Sequence, residues 1–231
     1  MTELNWQRAA LPGLVTLRGR TVTVEPLNAG RHAAALWQAL HGHDALWEWL
    51  FDGPYATEAA FARALAERQA ARDAVFLAIV PSGPEEAGAD GLGGKAAGWA
   101  SYMRMEPAHG VIEVGNILLS PQLQRTTAAT EAMYLMAGHV FEHLGHRRYE
   151  WKCNAENDPS RRAALRLGFT FEGIFRQHMM IKGRNRDTAW FSMLDREWPA
   201  RKKAFEAWLA PGNFDAQGRQ LLRLEQLQAR G

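Results

Sequence analysis

The chain is nearly free of cysteine. One residue, Cys153, in 231 excludes an internal disulfide and argues against a cysteine-rich metal site. A reducing, cytoplasmic setting is the simplest expectation. No apolar run approaches the roughly 20 residues needed to span a bilayer. The opening stretch, MTELNWQRAALPG, lacks the apolar core of a secretory signal. Excess charge is missing too. A formal net charge of +2 supplies no field that would call for nucleic acid or an anionic membrane. His139, His143 and His146 give i, i+4 spacing only once, so no metal site is expected. No segment repeats. What remains is an ordinary globular balance, 47% apolar and 23% charged, in a chain long enough to bury a core without staples.

The periodicities order the chain as β-α-α-β-β-β-α-β-α-β-β with a helical tail. Residues 21–27, TVTVEPL, alternate and are β-branched, a strand. Asn28 and Thr57 are caps for helices running to about residues 41 and 72. Residues 74–80, 96–105 and 111–119 read as strands, with a glycine-rich loop at 81–95. A helix follows from Thr127 to about residue 143, then a strand at 147–153. Asp158-Pro159 opens a further helix that stops before Gly168. Residues 169–175 and 188–194 form a hairpin. Helices at 197–209 and 217–229 make the tail. The class is α/β: one mixed, mostly antiparallel sheet with helices on both faces.

A local absence carries the functional argument. Thr127-Ala128-Ala129-Thr130 opens its helix with no acid, although the positive end of a helix dipole favours one. Four amides there have no intrahelical partner. A helix end left bare, fed by a strand, suits a phosphate or diphosphate. Arg125 adds a cation, and Thr126, Thr127 and Thr130 add hydroxyls. The plainer alternative is that Thr126 or Thr127 caps the helix.

The segment Gln124-Arg125-Thr126-Thr127-Ala128-Ala129 resembles the acyl-CoA diphosphate loop of the GNAT acetyltransferases, (Gln/Arg)-x-x-Gly-x-(Gly/Ala), with Thr127 in place of the usual glycine. SPQLQRTTAATEA, NDPSRRAALRLGF and FEGIFRQHMMIKGRNRDTAWFSML together are similar to the Rim-type branch, which acetylates protein N-termini or other primary amines. The resemblance implies a GNAT domain over residues 1–197 and a helical extension over 198–231. It implies a V-shaped splay between the strands at 111–119 and 147–153. There the amide-rich arm of acetyl-CoA would add like an extra strand along Ile117, Leu118 and Leu119. The Leu118 amide would hold the oxyanion.

Glu113, a lone charge in an apolar strand, matches the family's general base; a solvated strand carboxylate is the alternative. The family's tyrosine acid falls at Ala164 and is absent. Asn157 and Ser160 match the Asn-x-x-Ser of the Rim-type branch and would contact the pantetheine or its sulfur, or else cap their helix. The acceptor groove would lie at residues 47–51 and 175–187, with Trp47, Glu48, Trp49 and His178 as contacts. The expected partner is an amine, either a peptide N-terminus or a small molecule; the tail helix, with Trp198, Phe205, Trp208 and Leu209, would pack on the sheet or on a second subunit of a homodimer. A coenzyme-A-binding module without turnover is the rival reading.

Overall fold

A computed structural model describes residues 6–82 and 94–230; most of the expected glycine-rich loop at 81–95 lies outside them. Among the described residues, eight strands form one sheet in the order β1-β2-β3-β4-β5-β6-β8-β7. They are β1 (Leu17–Arg18), β2 (Val22–Pro26), β3 (Ala74–Pro81), β4 (Gly98–Glu106), β5 (Val111–Leu119), β6 (Arg148–Asn154), β7 (Thr170–Ile181) and β8 (Arg184–Leu194). Every neighbouring pair is antiparallel except β5–β6, which is parallel.

Alternation along the strands sends side chains to two cores. Leu77 and Ile79 join one, Ala78 and Val80 the other. Helices α1 (Ala29–Leu40) and α2 (Glu58–Gln69) cover the second core through Leu36, Leu40, Phe61 and Leu65. Their caps are those expected: Asn28 accepts from the Arg31 amide and Thr57 from the Ala60 amide. Helix α3 (Thr127–Gly138), extended by a π-helical turn at His139–His143, covers the first core. Helix α4 (Asp158–Arg166) contributes Ala164, and Leu167 follows it into the same core.

The tail differs from the sequence expectation. Helix α5 (Trp198–Leu209) is present, and Trp198, Phe205 and Trp208 sink into the first core beside α3. The helix expected over residues 217–229 shrinks to α6 (Leu224–Gln228). The chain before it doubles back, pairing Phe214 with Gln220 in an isolated bridge. Asp215 accepts from the amides of Gln217 and Arg219, and Gly218 takes a positive φ of 74°. An acidic side chain bonded to its own following amides outcompetes the helix here. Buried Asn213 fixes the turn by bonding the Trp208 and Leu222 carbonyls and the Leu222 amide.

Glu131, the first acid of α3, is buried and serves the fold. Its carboxylate accepts from the Arg20 and Thr21 amides and the Thr21 hydroxyl, tying the β1–β2 turn to the helix.

Candidate active site

The pairing of β5 with β6 runs from Val111–Arg148 to Val114–Trp151 and stops, while both strands continue. Residues 115–119 therefore present an unpaired edge to a widening gap. A bulge helps open it: Asn116 and Ile117 together face Ala100, and Asn116 has φ 52°.

Peptide planarity decides which groups face the gap. The Ser120 amide donates to the Ala97 carbonyl, so that pair lies in the β4 ladder. Two residues earlier, Leu118 pairs with Trp99, and its carbonyl lies hard against Gly98. The Leu118 amide and carbonyl are thus turned to β4, and its side chain is buried at 3% exposure in the second core. The expectation that Leu118 donates to the oxyanion is corrected. The groups facing the gap are the Ile117 carbonyl and both the amide and carbonyl of Leu119. The last is already covered, because Gln124 Nε2 donates to it at 3.0 Å.

Helix α3 begins beside this edge. Thr126 caps it, its hydroxyl accepting from the Ala129 amide at 3.1 Å and donating to the Leu123 carbonyl at 2.8 Å. Capping and an open helix end coexist. The amides of Thr127 and Ala128 have no acceptor among the described residues. Ile117, Leu119, Arg125, Thr127, Ala129 and Thr130 line one cleft of about 420 Å³. The Ala128 side chain departs from the expectation, packing into the first core with only its amide at the helix end.

The same cleft has walls the sequence reading missed: Arg166, Trp208, Phe214, Gly218 and Gln220. Arg166 donates to the Thr130 hydroxyl at 3.1 Å and lies 5.0 Å from the Trp208 ring centroid. It brings a second cation to the helix end, beside Arg125. Only the tail's return on itself could reveal the others. An amide edge, unpartnered helix-end amides and two guanidiniums are the donor set that a diphosphate on an amide-rich arm requires. Acetyl-CoA fits these residues.

A second cavity, of about 130 Å³, continues past the bulge. Glu113, Asn157, Ser160, Trp49 and His178 all line it. Glu113 is 4% exposed. Its Oε2 is held by Lys152 Nζ at 2.8 Å and Arg104 Nε at 3.3 Å. Its Oε1 has no partner among the described residues and lies along Gly115 at the mouth of the gap. Burial raises the Glu113 pKa, and Lys152 and Arg104 only partly oppose this. Asn157 Oδ1 accepts from the Ser160 amide as a helix cap, leaving Nδ2 unengaged among the described residues. Ser160 Oγ accepts from Trp151 Nε1. His178 shares a hydrogen bond with the Thr188 hydroxyl at 3.0 Å. Burial and the nearby cations Arg104, Arg186 and Lys152 lower its pKa, so the ring is neutral at pH 7.

Two acceptor contacts are not brought here. Trp47 is 3% exposed, edge-on to Tyr55 and Phe61, and belongs to the second core. Glu48 is exposed and lies outside the cavity lining. Asp52, next to this stretch, forms an ion pair with Arg68. Leu46, Trp49, Leu50 and Phe51 form the wall instead. Among the described residues, no cluster of three or more His, Cys, Asp or Glu could hold a metal, and no helix is long and apolar enough to cross a membrane.

Residues 21–170 match the model of the acetyltransferase (GNAT) domain family. A GCN5-related N-acetyltransferase from Brucella melitensis shares 48% identity, with 97% of this chain and 99% of that one covered and a TM-score of 0.91. The N-acetyltransferase p20 of Bacillus licheniformis is 37% identical over 70 residues, 30% of this chain and 39% of p20. A Bacillus subtilis protein named for ribosomal N-acetylation, YdaF, is 26% identical over 109 residues, 47% of this chain and 59% of YdaF. The chain thus spans about two fifths to three fifths of those two curated relatives. The name of the second is consistent with the Rim-type branch that the sequence motifs resemble.

Proposed function

The chain belongs to the GNAT acetyltransferase family, and from that premise we propose that it transfers acetyl from acetyl-CoA directly to a primary amine. The observation that carries this is the gap between β5 and β6, which opens onto the unpartnered amides of α3. In this reading the cleft of about 420 Å³ takes the coenzyme arm and diphosphate. Leu119 N–H and Ile117 C=O bond the arm. Arg125, Arg166 and the amides of Thr127 and Ala128 take the diphosphate. Asn157 Nδ2 reaches the arm from the other wall, next to Ser160. The bound coenzyme supplies an activated acetyl group as its thioester.

An ammonium cannot attack a thioester, and an alkylamine is mostly protonated at pH 7. Glu113 Oε1 is assigned the proton. Lys152 and Arg104 fix the other oxygen, so the free one is aimed rather than mobile. Its raised pKa makes it a better acceptor than an ordinary carboxylate. The amine nitrogen then forms a bond to the acetyl carbon as the carbon–sulfur bond breaks. The ammonium's first proton passes through Glu113 to solvent before attack, and the second leaves the nitrogen by the same carboxylate as the adduct collapses. The sulfur departs as thiolate, which a thiol pKa of about 8.5 permits without a side-chain acid. No covalent enzyme intermediate is involved; Cys153 is buried and its thiol is pushed up by burial.

The acceptor is a small amine or a peptide N-terminus. A panel of both, incubated with acetyl-CoA and read by mass for the acetylated product, tests the proposal. At least one class should be acetylated well above the uncatalysed rate. If coenzyme A raises the melting temperature and yet no amine gains acetyl, the coenzyme-binding module without turnover is the correct reading.

A further inference from the structure

The cavity beyond the bulge has a charge imbalance that the transfer chemistry does not use. Its lining contains three permanent cations, Arg104, Lys152 and Arg186, and one carboxylate, Glu113. That carboxylate is divided between Lys152 and Arg104. Lys152 has a second partner in Glu150 at 2.6 Å and lies 3.9 Å from the Trp190 ring centroid, so it is satisfied. Arg104 is 42% exposed and reaches water.

Arg186 has no carboxylate partner among the described residues, and its terminal nitrogens meet solvent through this cavity. It stands on β8 and is 7% exposed. Its Nε donates to the Thr188 hydroxyl at 3.1 Å, and its guanidinium carbon is 5.7 Å from the Phe51 ring centroid. No carboxylate lies within ion-pair distance of it among the described residues, and both terminal nitrogens have no hydrogen-bond partner there. A guanidinium stays charged in any protein environment. Confining one in a cavity with no counter-ion is unfavourable, and an anionic ligand would recover that cost. The planar fork left open matches the two oxygens of a carboxylate or phosphate.

Resting on the acetyltransferase reading, we propose that the acceptor is a small amine carrying its own oxyanion, a carboxylate or phosphate, which docks on Arg186 while the nitrogen faces Glu113. The cavity of about 130 Å³ holds something of amino-acid size. Leu46, Trp49, Leu50 and Phe51 supply its apolar side. Such a site selects a zwitterion over a bare cationic amine.

The test uses matched sets: amino acids, their amides, the corresponding plain amines, and aminoalkyl phosphates. Each is assayed with the full chain and acetyl-CoA for thiol release, and by thermal shift in the presence of coenzyme A. Anionic members should exceed their neutral partners in kcat/KM by tenfold or more. In Arg186→Met that ratio should fall towards one, and Arg186→Lys should retain part of it. Carboxylate and phosphate arms separate the two sources of the oxyanion. Stabilisation by coenzyme A alone reports whether each variant folds and keeps its coenzyme cleft. Neutral amines matching or beating the anionic ones would overturn the proposal, as would an anion preference surviving in Arg186→Met. Should no amine be acetylated, the transferase reading falls separately. Anion docking is then decided by the thermal shifts: acid but not amide must stabilise wild type, and not Arg186→Met.

Discussion

Glu113→Gln is expected to reduce kcat by roughly 100- to 1,000-fold, the usual worth of a positioned base, while leaving the KM for acetyl-CoA nearly unchanged. The amide preserves the shape of the side chain but cannot take a proton. In the proposed reading, coenzyme binding relies on another set of atoms, the Leu119 edge and the α3 amides. The pH profile gives the argument its sign. Burial raises the Glu113 pKa in the folded protein, so the wild-type acid limb should lie above the ordinary carboxylate range, with activity falling as pH drops through it. In the variant that limb should vanish. Stability moves oppositely: the folded state holds this proton more tightly than the unfolded chain, so charging Glu113 weakens the fold as pH rises. Removing the carboxylate also leaves Lys152 with Glu150 alone, so each variant's melting temperature must accompany its kinetics. A variant as fast as wild type at every pH would transfer the base role to solvent or to His178.

Thr127→Glu should have the second largest effect, and its two parts have opposite signs. An acid in the first turn satisfies the helix dipole and should stabilise the fold by about 0.3–1 kcal/mol. The same carboxylate would stand where the diphosphate docks. A loss of about 100-fold in acetyl-CoA affinity, about 2.7 kcal/mol, is expected from like-charge repulsion. S-Acetyl-pantetheine has no diphosphate and should be used by both proteins with similar KM. Equal KM for acetyl-CoA in the variant would mean that the helix end is merely capped by Thr126. A drop in stability would mean that the first turn is not the exposed end described here.

Local features were legible because their causes are local. The caps at Asn28 and Thr57, the alternation of β2, the apolar run of β5 and the acid-free start of α3 need only a few neighbouring residues to be read. Glu113 stood out for the same reason, as one charge in an apolar strand. The misreadings at the site required register or topology. Whether Leu118 or Leu119 faces the gap depends on the parity of the β4 ladder and the bulge at Asn116, which no spacing within β5 reveals. Trp47 and Trp49 sit two apart in one aromatic stretch, yet one fills the core and the other lines the cavity. Arg104, Lys152 and Arg186 lie far apart in sequence and converge only because β4, β6 and β8 gather around the splay. The tail shows local rules in competition: a polar, helix-compatible stretch gave way to a turn pinned by Asp215, Gly218 and Asn213, and so carried Phe214 and Gln220 to the cleft beside α3.

The account rests on one physical assignment, that the unpaired edge of β5 and the start of α3 together hold acetyl-CoA. Amide chemical shifts followed during titration with acetyl-CoA test it residue by residue. Thr127, Ala128 and Leu119 should shift in step and saturate at one equivalent, Leu118 should move far less, and ATP should not reproduce the pattern. Those three amides remaining still while acetyl-CoA binds elsewhere, or responding equally to ATP, would contradict it.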